Sequence, residues 1–97
     1  MAENPSKAEL DISPPSRVDR IAIEGIGQRD QIWISVQHLD GSLHTYFNYL
    51  DEGYTVVLQQ LALLRDCLAN PEMRVILHYR TVGESRRFHC VTAFRAD

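Results

Sequence analysis

The chain has 97 residues, 44% hydrophobic and 24% charged, with a formal net charge of −3. That is enough for one globular domain with a modest core, and too acidic overall for broad electrostatic binding to nucleic acid, which relies on many phosphate contacts. No stretch approaches the roughly 20 apolar residues of a membrane-spanning helix, so no membrane insertion is expected.

Residues 1–16, "MAENPSKAELDISPPS", hold three prolines among mixed polar side chains. They read as a flexible N-terminal arm ahead of a single domain over 17–97. The arm lacks the charged start and apolar run of a signal peptide. The chain as it stands is expected to be cytoplasmic, or secreted if a leader has been removed.

"RVDRIAIEGIG" reads as a first strand ended by Gly25 and Gly27, and "QIWISVQHL" as a second. Asp40-Gly41 predicts a two-residue type I′ hairpin, because both central positions of that turn need positive φ. "SLHTYFNY" is then the third strand. Over 51–69 the period changes: Tyr54, Val57, Leu58, Leu61, Leu64 and Leu68 follow helical spacing. Asp51 is the expected N-cap. Asn70-Pro71 is the expected stop, with Asn70 in a left-handed cap. "MRVILHYR" and "RRFHCVTAF" form the last two strands around a turn at Gly83-Glu84. The class is mainly β with one α-helix, in the order β-β-β-α-β-β. The expected architecture is a five-stranded OB-like antiparallel barrel, since closure protects the edges of so small a sheet.

A tight turn at Asp40-Gly41 would pair Val36 with Thr45, Ser35 with Tyr46 and Ile34 with Phe47. The core face is then Ile32, Ile34, Val36, Leu43 and Phe47. The opposite face carries Trp33, Ser35, Gln37, His44, Tyr46 and Asn48. Flat aromatic surface beside amide, hydroxyl and imidazole groups suits a sugar or a base, and equally a subunit interface. Trp33, Gln37, His44, Tyr46 and Asn48 are the candidate ligand contacts. In the second hairpin the predicted register sets Arg80 against Arg87 and His78 against His89. Arg74, His78, Arg80, Arg87, His89 and Arg95 fall on its outer face, and Phe88 and Cys90 on its inner one. Arg80 and Arg87 are candidates to hold an acidic group, with Asp19 and Glu24 as the competing partners within the chain.

His78 and His89 find no third ligand, and His38 and His44 are expected on opposite faces, so neither a metal nor another cofactor is expected. There is no Gly-rich phosphate loop and no nucleophile elbow. Cys67 and Cys90 have no activating partner in the sequence, and catalysis is not expected. On the helix, Leu61 centres the predicted inward face. Val56, Leu63 and Cys67 cluster on the back, where apolar groups point to another copy of the chain.

The helix running into a strand, "YTVVLQQLALLRDCLANPEMRVILHY", and the polar-aromatic hairpin together resemble the OB-fold B subunits of bacterial AB5 toxins, in the pertussis and subtilase-cytotoxin group. The resemblance covers about residues 17–95. It implies a ring-shaped homo-oligomer with helices lining its channel and glycans bound on the barrel's flank. It carries over no individual sugar-binding residue. Those toxin subunits are secreted and usually disulfide-bonded, whereas here the two cysteines fall on a helix back and a strand's inner face. The expected function is a non-enzymatic, oligomeric ligand-binding module with a glycan as candidate ligand. A single-stranded nucleic-acid binder and a purely structural subunit are the alternatives.

Overall fold

A computed structural model of the chain describes residues 9–26, 29–50 and 54–96, with the side chains of 25, 26, 29 and 54–57 outside that description. The first half of the arm, Gly27, the Asp51 cap and the side chains of Tyr54, Val56 and Val57 therefore lie outside the described residues.

The elements are β1 (Asp11–Ile12), β2 (Arg17–Ile26), β3 (Arg29–Gln37), β4 (Leu43–Tyr49), α1 (Tyr54–Ala69), β5 (Met73–Val82) and β6 (Ser85–Arg95). The fold is mainly β with one helix, and its six strands form one sheet in the order β1-β5-β6-β4-β3-β2. Neighbours are antiparallel except β4 and β6, which meet in parallel at Phe47 and Arg87. The ladder is open, with β1 and β2 at its ends. There are six strands rather than the expected five because the end of the arm pairs with β5.

That pairing survives two prolines. Pro14 and Pro15 lack N–H groups, and the serines on either side fill in. Ser13 N–H donates to Leu77 O at 2.8 Å, and Ser13 Oγ accepts the Leu77 N–H at 2.8 Å. Ser16 and Val75 exchange both backbone bonds, at 2.9 and 2.8 Å. Both serines are buried. One continuous run thus lies along β5 over 11–16 and along β3 from Arg17 onward.

The first hairpin departs from the predicted register. Gly41 takes φ +88°, but Asp40 does not share it. The Asp40 carboxylate accepts both Ser42 N–H (2.9 Å) and Ser42 Oγ–H (2.6 Å), an Asx-type turn that keeps Asp40 at negative φ. Gly41 N–H donates to His38 O at 3.0 Å, and His38 N–H to Ser42 O at 2.9 Å. The loop is therefore Leu39–Asp40–Gly41, a type I turn followed by a left-handed glycine. Its extra residue slips β4 by one. Ile34 now faces Tyr46, Trp33 faces Phe47 and Val36 faces His44. Because side chains alternate with period two, the slip exchanges the two faces of β4.

The second hairpin keeps the predicted pairs Arg80–Arg87 and Tyr79–Phe88, then shifts at an extra residue, His89, so that His78 meets Cys90 and Leu77 meets Val91. This β-bulge moves Cys90 off the predicted inner face. It also breaks the predicted basic ladder after Arg87. The turn is two residues long, with Gly83 at φ +62° and Glu84 not left-handed, the pattern of a type II′ turn.

The helix also presents a different face inward. Leu64 and Cys67 sit at 0% and 2% exposure in the core with Val18, Ile32, Ile34, Val36, Tyr46, Val75, Leu77 and Phe88. Leu58 and Leu68 are outside, 42% exposed each. Gln60 Nε2 donates to the carbonyl of the bulged His89 at 2.9 Å, which ties the helix rotation to β6. Asn70 ends the helix with its side chain rather than a left-handed backbone: Nδ2 donates to Asp66 O at 2.6 Å. The Cα radius of gyration is 12.9 Å. No helix among the described residues is long and apolar enough to cross a membrane.

Candidate ligand-binding face

The sequence of β2, "RIAIEG", alternates, and Ile21 and Ile23 pair with the core residues Ile34 and Ile32. Arg20, Ala22 and Glu24 therefore point the other way. The ladders align them in rows across three strands: Arg20–Ser35–Thr45, Ala22–Trp33–Phe47 and Glu24–Gln31–Tyr49. Ala22 leaves a notch beside the Trp33 ring, and Arg20 and Glu24 bracket it. The result is a shallow cleft of about 250 Å³ lined by Arg20, Ala22, Glu24, Trp33, Ser35 and Thr45.

Trp33 is held by a tilted contact with Phe47, centroids 5.3 Å apart, and Phe47 by an edge contact with Tyr49 at 5.5 Å. Arg87 lies over the Tyr49 ring at 5.1 Å, and its Nε donates to Asn48 Oδ1 at 3.1 Å. Trp33 Nε1 is buried and donates to no group among the described residues. Ser35 Oγ and Thr45 Oγ1 are 3.4 Å apart. The cleft thus offers one aromatic surface, one guanidinium, one carboxylate and two hydroxyls.

Of the candidate contacts, Trp33 and Gln37 share this outer face. The others do not join them, for the reason of register given above. Tyr46 is 2% exposed and part of the core. Burial pushes its phenol upward, with Tyr79 adding to the shift and Arg86 opposing it. Asn48 is buried and accepts from Arg87 and from Tyr49 N–H. His44 sits at the loop end of the core face, stacked on His38 with centroids 3.7 Å apart; the two were expected on opposite faces. Arg80 is exposed opposite Arg87. Among the interface candidates, Cys67 is in the core rather than on the helix back, and burial, then Asp66, pushes its thiol upward. Leu63 is half-buried, and the Val56 side chain is not described.

Arg20, Ala22 and Thr45 were not singled out from the sequence, and Glu24 only as an acid to neutralise Arg80 and Arg87. The shared face of Arg20, Ala22 and Glu24 follows from the alternation of β2. Thr45 was hidden by the turn length. Among the described residues no group of three His, Cys, Asp or Glu side chains could hold a metal.

A second, separate arrangement surrounds the 38–42 loop. Arg86 Nη1 lies 3.3 Å from His44 Nδ1, which must accept, so the ring proton sits on Nε2 and is donated to Ser42 Oγ at 2.8 Å. Ser42 Oγ passes its own proton toward Asp40. Burial, then the neighbouring His44, lowers the pKa of His38; Asp40 opposes and Arg86 adds to the effect.

No protein-family model matches the chain, and no curated protein matches it.

Proposed function

We propose that this protein is a non-enzymatic binding module whose outer β2–β3–β4 face takes a small polar ligand of the glycan class. The observation that carries the reading is the cleft at Ala22. A half-buried indole lining the cleft next to a small residue suits the C–H face of a pyranose ring, while Arg20, Glu24, Ser35 and Thr45 supply the mixed donors and acceptors that sugar hydroxyls need. Its volume of about 250 Å³ suits one ring rather than a long chain. Glu24 inside the cleft repels phosphodiesters, which sets the single-stranded nucleic-acid reading second.

The strand order supports an OB-like barrel as the frame. β4 and β6 are parallel neighbours, and the 11–17 run links β5 to β3 through the Ser16–Val75 bridge. The likeness to toxin B subunits rests on that order and on the helix running into β5. Leu58 and Leu68, 42% exposed each, offer apolar surface on the helix for self-association beside the half-buried Leu63, whereas Cys67 is buried in the core.

A glycan array followed by Trp33 fluorescence titration tests the reading. Binding should shift and quench the single tryptophan, and Ala22→Leu, which fills the notch, should remove the response. An array without hits and an unmoved emission spectrum would end the glycan proposal.

A further inference from the structure

Beyond the Trp33 cleft, the same sheet face ends in a second cleft of about 240 Å³, lined by Arg17, Gln37, His38, Leu39, Gly41 and Arg74. Its two arginines come from strands far apart in sequence. The antiparallel Ser16–Val75 bridge sets Arg17 directly across from Arg74. On Arg17's other side lies Gln37. Like charges directly opposite each other across two strands repel, and among the described residues neither guanidinium meets a carboxylate. Arg74 is aimed by its own turn, with Nη1 donating to Pro71 O at 2.7 Å and Met73 O at 3.0 Å. Its other nitrogens meet no acceptor among the described residues. His38 borders the cleft, and its Nε2, shielded from solvent, has no hydrogen-bond partner among the described residues.

We propose that this cleft binds a phosphate-type oxyanion carried as a monoester on a larger molecule. Two guanidiniums binding bidentately need four acceptor positions. A carboxylate must serve both guanidiniums from two oxygens and a single charge, whereas a phosphate monoester has three terminal oxygens and a charge of about −1.5 to −2. Leu39, 83% exposed at the lip, gives an apolar seat for the organic part of such an ester. The nearest acid of the loop, Asp40, is turned onto Ser42, so it does not neutralise the pair. Gln37 supplies an amide on the same wall. The proposal does not depend on the glycan reading, since it concerns different side chains.

The test is amide NMR of the full chain, titrated at constant ionic strength with phenyl phosphate, inorganic phosphate and acetate. Saturable shifts are expected at Gln37, His38 and Gly41, with phenyl phosphate at least as tight as inorganic phosphate and acetate weaker by about tenfold or more. Arg17→Gln should weaken phenyl phosphate by at least about tenfold. Among the described residues the Arg17 side chain makes no hydrogen bond that the fold would miss, so this variant decides the matter even if Arg74→Gln loosens the 71–73 turn. Arg80→Gln, distant from the cleft, should titrate like the parent, and so should Trp33→Phe. Unsaturable shifts, an Arg17→Gln variant that binds as the parent does, or acetate binding as tightly as phosphate would overturn the proposal.

Discussion

Trp33 and Phe47 face each other across the β3–β4 ladder, centroids 5.3 Å apart, on the side of the sheet away from the core. Phe47 is itself almost fully covered, while Trp33 borders the cleft. Such an aromatic pair contributes about 0.5–1.5 kcal/mol beyond its buried area. Trp33→Ala is expected to abolish sugar binding by calorimetry while destabilising the fold only modestly. Phe47→Ala should destabilise more than it weakens binding, because Phe47 supports the indole without lining the cleft.

Tyr46 separates the observed register from the predicted one. As a core residue it should cost about 3–5 kcal/mol when cut to alanine. Ligand affinity measured on the remaining folded fraction should be unchanged. Chemical denaturation of Tyr46→Ala beside Thr45→Ala checks this. A register that put Tyr46 outside would make Thr45→Ala the more damaging of the two.

The helix allows a similar contrast. Leu64→Ala should lose about 2–5 kcal/mol, whereas Leu58→Lys and Leu68→Lys should each change stability by less than about 0.5 kcal/mol. If the exposed stripe holds copies together, light scattering on the double lysine variant will show a smaller particle than the parent. In a Cys90→Ser background, Cys67 should react with a thiol reagent only as fast as the protein unfolds, being buried with a raised pKa.

His38 at the loop sets a pH response. The folded pKa of His38 lies below its ordinary value of about 6.5. In the window between those two values the unfolded chain binds a proton that the folded chain refuses, so stability rises with pH there. The contribution is whole above about pH 6.5 and is lost as pH falls through the lowered folded value. His38→Gln should flatten this slope in denaturation midpoints measured from pH 7.5 down to pH 5.

Gly41→Ala should cost about 1–2 kcal/mol through backbone strain alone, since a Cβ there would meet nothing within 4 Å. Thermal melts of Gly41→Ala and Gly41→Asn separate that strain from lost contacts, because asparagine tolerates positive φ and should recover part of the loss.

The order of the five long strands and the helix, and most of their bounds, were legible in the sequence, because alternation, helical spacing and Gly/Pro punctuation are local signals; the short β1 was not. What escaped depended on single residues. "LDGS" is compatible with a two- or a three-residue turn, and the Asp40–Ser42 hydrogen bonds choose between them. The bulge at His89 has no glycine or other backbone signature. It becomes understandable only with Gln60 beneath it. The helix has leucines on both sides, so spacing could not decide between Leu61 and Leu64 as the centre of its buried face. The pairing of residues 11–16 with β5 was masked by Pro14 and Pro15, which read as disorder until Ser13 and Ser16 are seen to replace their missing donors. On the cleft itself, the alternation of β2 already separated Arg20, Ala22 and Glu24 from the isoleucines; only their neighbours on β4 needed coordinates.

The three-residue loop after β3 has a combinatorial consequence. A two-residue turn at Asp40-Gly41, with Leu39 paired to Ser42 instead of looped out, would shift β4 by one position against β3. Phe47 would then replace Tyr46 opposite Ile34, and Asn48 would replace Phe47 opposite Trp33. The Asp40–Ser42 hydrogen bonds at this one corner thus decide which side chains of β4 border the neighbouring surface.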